Sequence, residues 1–194
     1  YLSTERNGIV KFNPRTGDFS SFLSSGTTTS SLPSNDIRAL LFKNDDTCYI
    51  ATNSGFCIYD TKRNKLKTYT MSDGLPNDLV YSVLEDNSGK LWLSTNLGVS
   101  RFDPHTGKFF NYTESEGLSG NEFNSKAYLK LRDGNMIFGG VKGFSIFNPE
   151  TVAGDSLNPN LAITSMSLFS REIPVGKYND RIILDSAIHL KKVI

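Results

Sequence analysis

Apolar residues in this chain fall into short runs, and no stretch sustains the 3.6-residue spacing of an amphipathic helix. Four runs occupy 79–84, 91–95, 99–102 and 108–112, and four more occupy 37–42, 48–52, 56–59 and 66–69. They are rich in Val, Ile, Phe and Tyr and are parted by Gly, Asn, Asp and Pro, which predicts β-strands joined by tight turns and almost no helix. Several runs are apolar at consecutive positions, as in Leu91-Trp92-Leu93 and Ala39-Leu40-Leu41-Phe42. Both faces of such a sheet must be covered, whereas a two-sheet sandwich would bury one face and alternate more cleanly.

The runs repeat as a paragraph. Its fullest copy is DNSGKLWLSTNLGVSRFD, Asp86 to Asp103, and copies centred on Gly8, Gly55, Gly98 and Gly143 lie 47, 43 and 45 residues apart. Two other markers keep step. One is SLPSND, GLPND and GLSGNE, starting at Ser31, Gly74 and Gly117; the other is FNPRTGDF, FDPHTGKF and FNPET, starting at Phe12, Phe102 and Phe147. Four-stranded sheets at a period of about 40 to 50 residues, stacked face to face around an axis, make a β-propeller. The fold class expected is therefore all-β: a partial β-propeller of about four blades over 1–150. The copies supply three, four, four and three strands, the last from 123–131, 136–138 and 143–147, so the ring is incomplete at both ends. Open edges of this kind invite pairing with another copy, an expectation that a clean monomer in light scattering at high concentration would overturn.

Beyond Asn158-Pro159 the markers vanish, which places a boundary near residue 150 and a second, truncated β domain over 151–194. Its expected strands are 161–169 and 181–184; alternatively 161–169 is the missing outer strand of the last blade. The chain opens at Tyr1 in the middle of a repeat, which reads as a piece of something longer.

Bulk properties remove some partners. Across 194 residues, 21 basic and 20 acidic side chains give a net charge of +1 with no basic stripe, which disfavours nucleic acid. No apolar run approaches the roughly 18 residues of a membrane span, so a membrane would be met only through a segment of the parent protein. Cys48 and Cys57 fall on neighbouring strands with Cys48 opposite Tyr59 and Cys57 opposite Ile50, a diagonal placement that favours two buried thiols over a bridge.

Strand alternation puts the TNSG and TNLG turns on the same face as the loops between blades, and the DNSGK and DPHTGK turns on the opposite face. The candidate ligand-binding residues on the first face are Asn35, Asp36, Asn53, Asn77, Asp78, Asn96, Asn121 and Glu122. Their amides and carboxylates could hydrogen-bond a polar ligand across the propeller mouth or simply cap their own turns. Gly55, Gly98 and Gly143 are expected at positive φ, and Gly17 and Gly107 close the Asx-Pro turns. Trp92, Tyr49 and Ile137 are expected in blade-to-blade core, with sugar stacking on Trp92 as the alternative. Asp45-Asp46 and Asp86-Asn87 lack the spaced ligands of a calcium loop, so no metal or cofactor is expected. His105 and His189 are the two histidines, and no nucleophile, zinc or phosphate-loop motif accompanies them; the catalytic set is empty.

The stretch DNSGKLWLSTNLGVSRFDPHTGKFFNYTESEGL resembles the two-component regulator propeller repeat, roughly D-x-x-G-x-[LI]-W-[IL]-x-[ST]-x-x-G-[LV]-x-x-[FY] followed by an aromatic and G-L. The second copy departs from it at Tyr49, and the fourth at Ile137 and Gly140. The tail from Pro159 is similar to the opening of the Ig-like three-tyrosine domain, a β-sandwich that follows such propellers. The resemblance implies the periplasmic sensor region of a Bacteroides-type hybrid two-component histidine kinase. It further implies an oligosaccharide ligand, a homodimeric parent and a ligand-biased geometry that moves the membrane helices. This stretch would itself be non-catalytic, and it transmits rather than binds if the ligand sits elsewhere in the parent. The rivals are a propeller enzyme acting on polysaccharides, a lyase or hydrolase with a buried His, Tyr or Arg cluster near the axis at the propeller mouth, and a protein-binding scaffold.

Overall fold

The computed structural model describes residues 1–22 and 31–152, and the backbone of four short strands between 166 and 182. It divides into two compact units, Tyr1–Gly154 and Asp155–Ile194.

The first unit is a series of four antiparallel meanders, a partial β-propeller. Sheet one holds β1 (Leu2–Ser3), β2 (Ile9–Phe12) and β3 (Phe19–Phe22); sheet two holds β4 (Ile37–Phe42), β5 (Thr47–Thr52), β6 (Gly55–Asp60) and β7 (Lys65–Tyr69). Sheet three holds β8 (Val80–Glu85), β9 (Leu91–Thr95), β10 (Val99–Asp103) and β11 (Lys108–Tyr112), and sheet four holds β12 (Phe123–Lys130), β13 (Met136–Gly140) and β14 (Gly143–Phe147). Among the described residues the sheets hold three, four, four and three strands, the count expected. The inner strands β4, β8 and β12 lie against one another and line the axis. Among the described residues helix is confined to two 3₁₀ turns, Met71–Asp73 and Glu114–Glu116. Each turn is closed reciprocally: the Thr70 and Thr113 N–H groups donate to Asp73 (2.8 Å) and Glu116 (2.6 Å).

Radial packing explains the consecutive apolar positions. Val83, Leu91 and Phe102 on sheet three meet Tyr49, Ala51 and Phe56 on sheet two, while Trp92 and Val99 on its other face meet Phe123, Met136 and Phe138 of sheet four. Trp92 is 1% exposed and its indole N–H donates to Asp86 at 2.9 Å. The Asp and the Trp of the repeat are thus one buried hydrogen-bonded unit. Burial pushes the Asp86 carboxyl up, but hydrogen bonds from Trp92, Ser88 and Lys90 outweigh it and hold the group below the usual carboxylate range.

Registers align Leu41–Tyr49–Ile58, Leu84–Trp92–Arg101 and Leu129–Ile137–Ile146 as equivalent cross-strand rows. The first two rows face the next sheet. The third faces no sheet among the described residues, so Leu129 and Ile146 are more than half exposed and Ile137 is half-buried, short of the core position expected for it. Arg101 is buried in the second row with its guanidinium 4.8 Å from the Phe110 ring and 5.9 Å from the rings of Trp92 and Tyr112.

The glycine expectations hold: Gly55, Gly98 and Gly143 have φ of 119°, 85° and 115°, and Gly17 and Gly107 close their turns at 78° and 71°. At the position equivalent to Gly107 sheet four has Val152, a β-branched residue that does not enter the left-handed region. Val152 packs against the cluster that holds Trp92. Cys48 and Cys57 are buried and free, in the register expected, and burial pushes both thiols up to about 12.

In the second unit, β15 (Met166–Leu168) pairs β16 (Arg171–Ile173) and β17 (Lys177–Tyr178) pairs β18 (Arg181–Ile182). Most of the expected strands 161–169 and 181–184, and the remaining Ig-like expectation, lie outside the described residues.

Candidate functional site

The mouth face is built by one repeated contact. The N–H of the turn glycine in each sheet donates to a backbone carbonyl in the loop entering the next: Gly8 to Asn35 (2.9 Å), Gly55 to Asp78 (2.7 Å) and Gly98 to Asn121 (2.6 Å). This makes Asn35, Asp78 and Asn121 equivalent, so the loops match by position and not by their Asn-Asp pairs. A Cβ on Gly98 would collide with the Tyr112 carbonyl oxygen, which makes glycine obligatory there for space as well as for φ.

Onto this frame the inner strands project side chains through bulges. The β4–β5 register shifts between Ile37 and Ala39, and the β8–β9 register between Val80 and Ser82. The extra residues are Arg38 and Tyr81, re-aimed towards the turns. Arg38 Nε donates to Asn53 Oδ1 at 2.6 Å, and Asn53 Nδ2 donates to Asp36 Oδ2 at 2.8 Å. Tyr81 donates its hydroxyl to Asn96 Oδ1 at 3.2 Å. In sheet four the irregularity widens to the span between Phe123 and Tyr128 and includes Lys126 at φ 63°.

Each expected residue therefore has a definite place. Asp36 and Asn53 form one cluster with Arg38. Asn77 accepts from the Leu79 N–H at 2.9 Å, Asp78 from the Met71 N–H at 2.7 Å, and Asn121 from the Glu114 N–H at 2.8 Å, all turn-capping bonds. Asn35 contributes its carbonyl oxygen. Asn96 and Glu122 are exposed. Asn121 and Glu122 share a hollow of about 290 Å³ with Glu114, Val141 and Lys142, where Lys142 Nζ lies 2.9 and 3.0 Å from the two Glu114 oxygens. Arg38, Tyr81, Glu114 and Lys142 escaped the reading of turns alone. The signal for the first two lies in the inner strands, where a polar or amphipathic residue follows the first apolar one in IRALLF, VYSVLE and FNSKAY. His105 is in an exposed turn, its N–H donating to Asp103, and His189 lies outside the described residues.

Three separate groups, Arg38 with Asn53 and Asp36, Tyr81 with Asn96, and Lys142 with Glu114, present carboxylates, amides, one guanidinium, one phenol and one ammonium on successive blades. Such a mixture can donate to and accept from neutral hydroxyl-bearing ligands.

Comparison with known proteins agrees with this geometry. Residues 74–97 match the family Two component regulator propeller, so the third repeat is a regulator propeller repeat. No curated protein matches the chain. Among solved structures it is similar to the extracellular domain of the hybrid two-component system BT3049 from B. thetaiotaomicron, with TM-score 0.67, 23% identity, 77% of this chain and 20% of that chain covered. It is also similar to the extracellular domain of BT4673 from the same organism, described there as a one-component system, with TM-score 0.61, 23% identity, 78% of this chain and 20% of that chain covered. The chain spans about a fifth of the length of these proteins, and the likeness establishes the fold.

Proposed function

We propose that this chain is part of the extracytoplasmic, periplasmic sensor region of a hybrid two-component system, which senses glycan-derived oligosaccharides and passes the signal to a histidine kinase. The observation that carries the reading is the regulator propeller match at 74–97, on a fold shared with extracellular domains of two-component systems. The polar rim supports the ligand class: Asn96 and Glu122 are open to solvent, and Arg38, Asn53 and Asp36 are held in one hydrogen-bonded row. Domain limits of 1–150 for the propeller blades and 151–194 for the start of an Ig-like connector belong to the same proposal. So does a homodimer of the parent, in which ligand binding favours one arrangement of propeller and connector.

Calorimetry of the parent's extracytoplasmic region against a panel of neutral and acidic oligosaccharides tests it. A saccharide that binds, and binds more weakly after Asn96→Ala or Glu122→Ala, is the expected result and places the contact on this stretch. Binding that ignores both variants assigns this stretch to transmission; binding to no saccharide refutes the ligand class.

A further inference from the structure

The mouth carries one backbone frame twice, with different side chains on it. Between sheets two and three the Met71 N–H donates to Asp78 Oδ1 at 2.7 Å, and between sheets three and four the Glu114 N–H donates to Asn121 Oδ1 at 2.8 Å. Along the repeat, Met71, Leu79 and Leu97 of the first frame correspond to Glu114, Glu122 and Lys142 of the second. Three apolar residues are exchanged for three charged ones at one place. The first frame forms without them, so the fold does not require these charges. The second frame encloses a hollow of about 290 Å³. The stem of Lys142 lies along Gly120, where an added Cβ would stand 3.2 Å from it, and its ammonium bridges both Glu114 oxygens at 2.9 and 3.0 Å. Among the described residues the Glu122 carboxylate and the Asn121 amide nitrogen have no partner, and Lys142 keeps a third N–H. Val141, 69% exposed, adds an apolar wall. A second cavity at this interface, about 300 Å³ against Trp92, Phe147 and Val152, lies between the sheets.

We propose that the hollow beside Asn121 is the subsite for one neutral sugar unit with free hydroxyls on two adjacent carbons. The proposal rests on the saccharide reading above and narrows it. The Glu122 carboxylate accepts from both members of such a hydroxyl pair, and the Asn121 amide and Lys142 ammonium donate back to their oxygens. The volume stands at the small end of ligand pockets, which limits the occupant to about one ring, its C–H face against Val141. Two carboxylates against one ammonium leave the lining net negative, so a uronate or sulfated unit is repelled.

The test follows backbone amide resonances of the full chain by NMR during titration with the methyl glycosides of glucose, galactose and mannose, and of the three matching uronic acids. Saturable shifts centred on Asn121, Glu122 and Lys142 are expected with at least one neutral glycoside, and binding roughly tenfold weaker or less with its uronic counterpart. Glu122→Gln, and Lys142→Leu, which copies the residue type at Leu97, are each expected to weaken the neutral glycoside by roughly tenfold or more without lowering the melting temperature. Equal or tighter binding of the uronic counterpart, shifts that survive both substitutions, or no shift with any neutral glycoside overturns the proposal. The broader reading fails separately. An oligosaccharide that binds the parent's extracytoplasmic region in calorimetry and ignores both substitutions overturns this subsite alone, whereas binding of no saccharide removes both.

Discussion

Sheets three and four are spelled by the same repeat and end differently. In sheet three the turn after Phe102 is closed by Gly107 at positive φ, the chain reverses, and β11 covers the outer edge. In sheet four Val152 stands where that glycine would be, and Asn87 of the neighbouring turn donates to Glu150 at 3.1 Å. The cross-strand rows differ as well: Trp92 is sealed by sheet four, whereas Ile137 is half-buried in a row that faces no sheet among the described residues. A repeat position has no fixed burial. Its environment is supplied half by its own sheet and half by the next, so identical slots become core or surface according to the neighbour.

The largest test of that view is Trp92→Ala against Ile137→Ala. The first removes a buried ring and its bond to Asp86 and should cost roughly 3–5 kcal/mol, the second about 1 kcal/mol or less, both read from urea unfolding. Equal losses would mean that the outward row is covered after all. Next comes Gly98→Ala against Gly143→Ala. Both sit at positive φ, but only Gly98 faces a carbonyl with no room for a methyl group. The expected losses are about 2–4 kcal/mol and about 1 kcal/mol.

Phe109→Ala should cost about 2 kcal/mol and give the second interface the cavity that the third already has. Increased binding of a small apolar dye would register it. The smallest effect is electrostatic. The folded Asp86 carboxyl titrates below its unfolded value, so its contribution is full above about pH 4 and fades as pH falls through the folded value. Asp86→Asn should therefore flatten the acid limb of a stability-against-pH curve by about 1 kcal/mol while leaving the limb above neutrality unchanged. A curve parallel to the parent's would show that Asp86 is charged to no effect.

Much of this was legible before any coordinates. Strand positions followed from runs of four to six apolar residues, and their count per sheet from the spacing of glycines. Even the diagonal placement of Cys48 and Cys57 came from the turn at Asn53-Ser54, because a two-residue hairpin fixes register along both strands. The mouth was legible only in part. Asn53, Asn77 and Asp78 announce themselves as turn residues, but Arg38 and Tyr81 read as ordinary strand residues until a bulge turns them out of the ladder.

What the sequence determined by itself is local and periodic: where each strand begins, which glycine must be left-handed, and that both faces of each sheet want cover. Backbone sterics and the spacing of apolar side chains act within a few residues, so they are written where they act. Which face receives that cover was decided by the tertiary structure alone. So were the bulges that aim Arg38 and Tyr81 at their asparagines, the half-burial of Ile137, and the cavity beside Trp92. These depend on contacts between sheets some 43 residues apart in the chain, and a pattern read along one strand carries no record of what stands across from it.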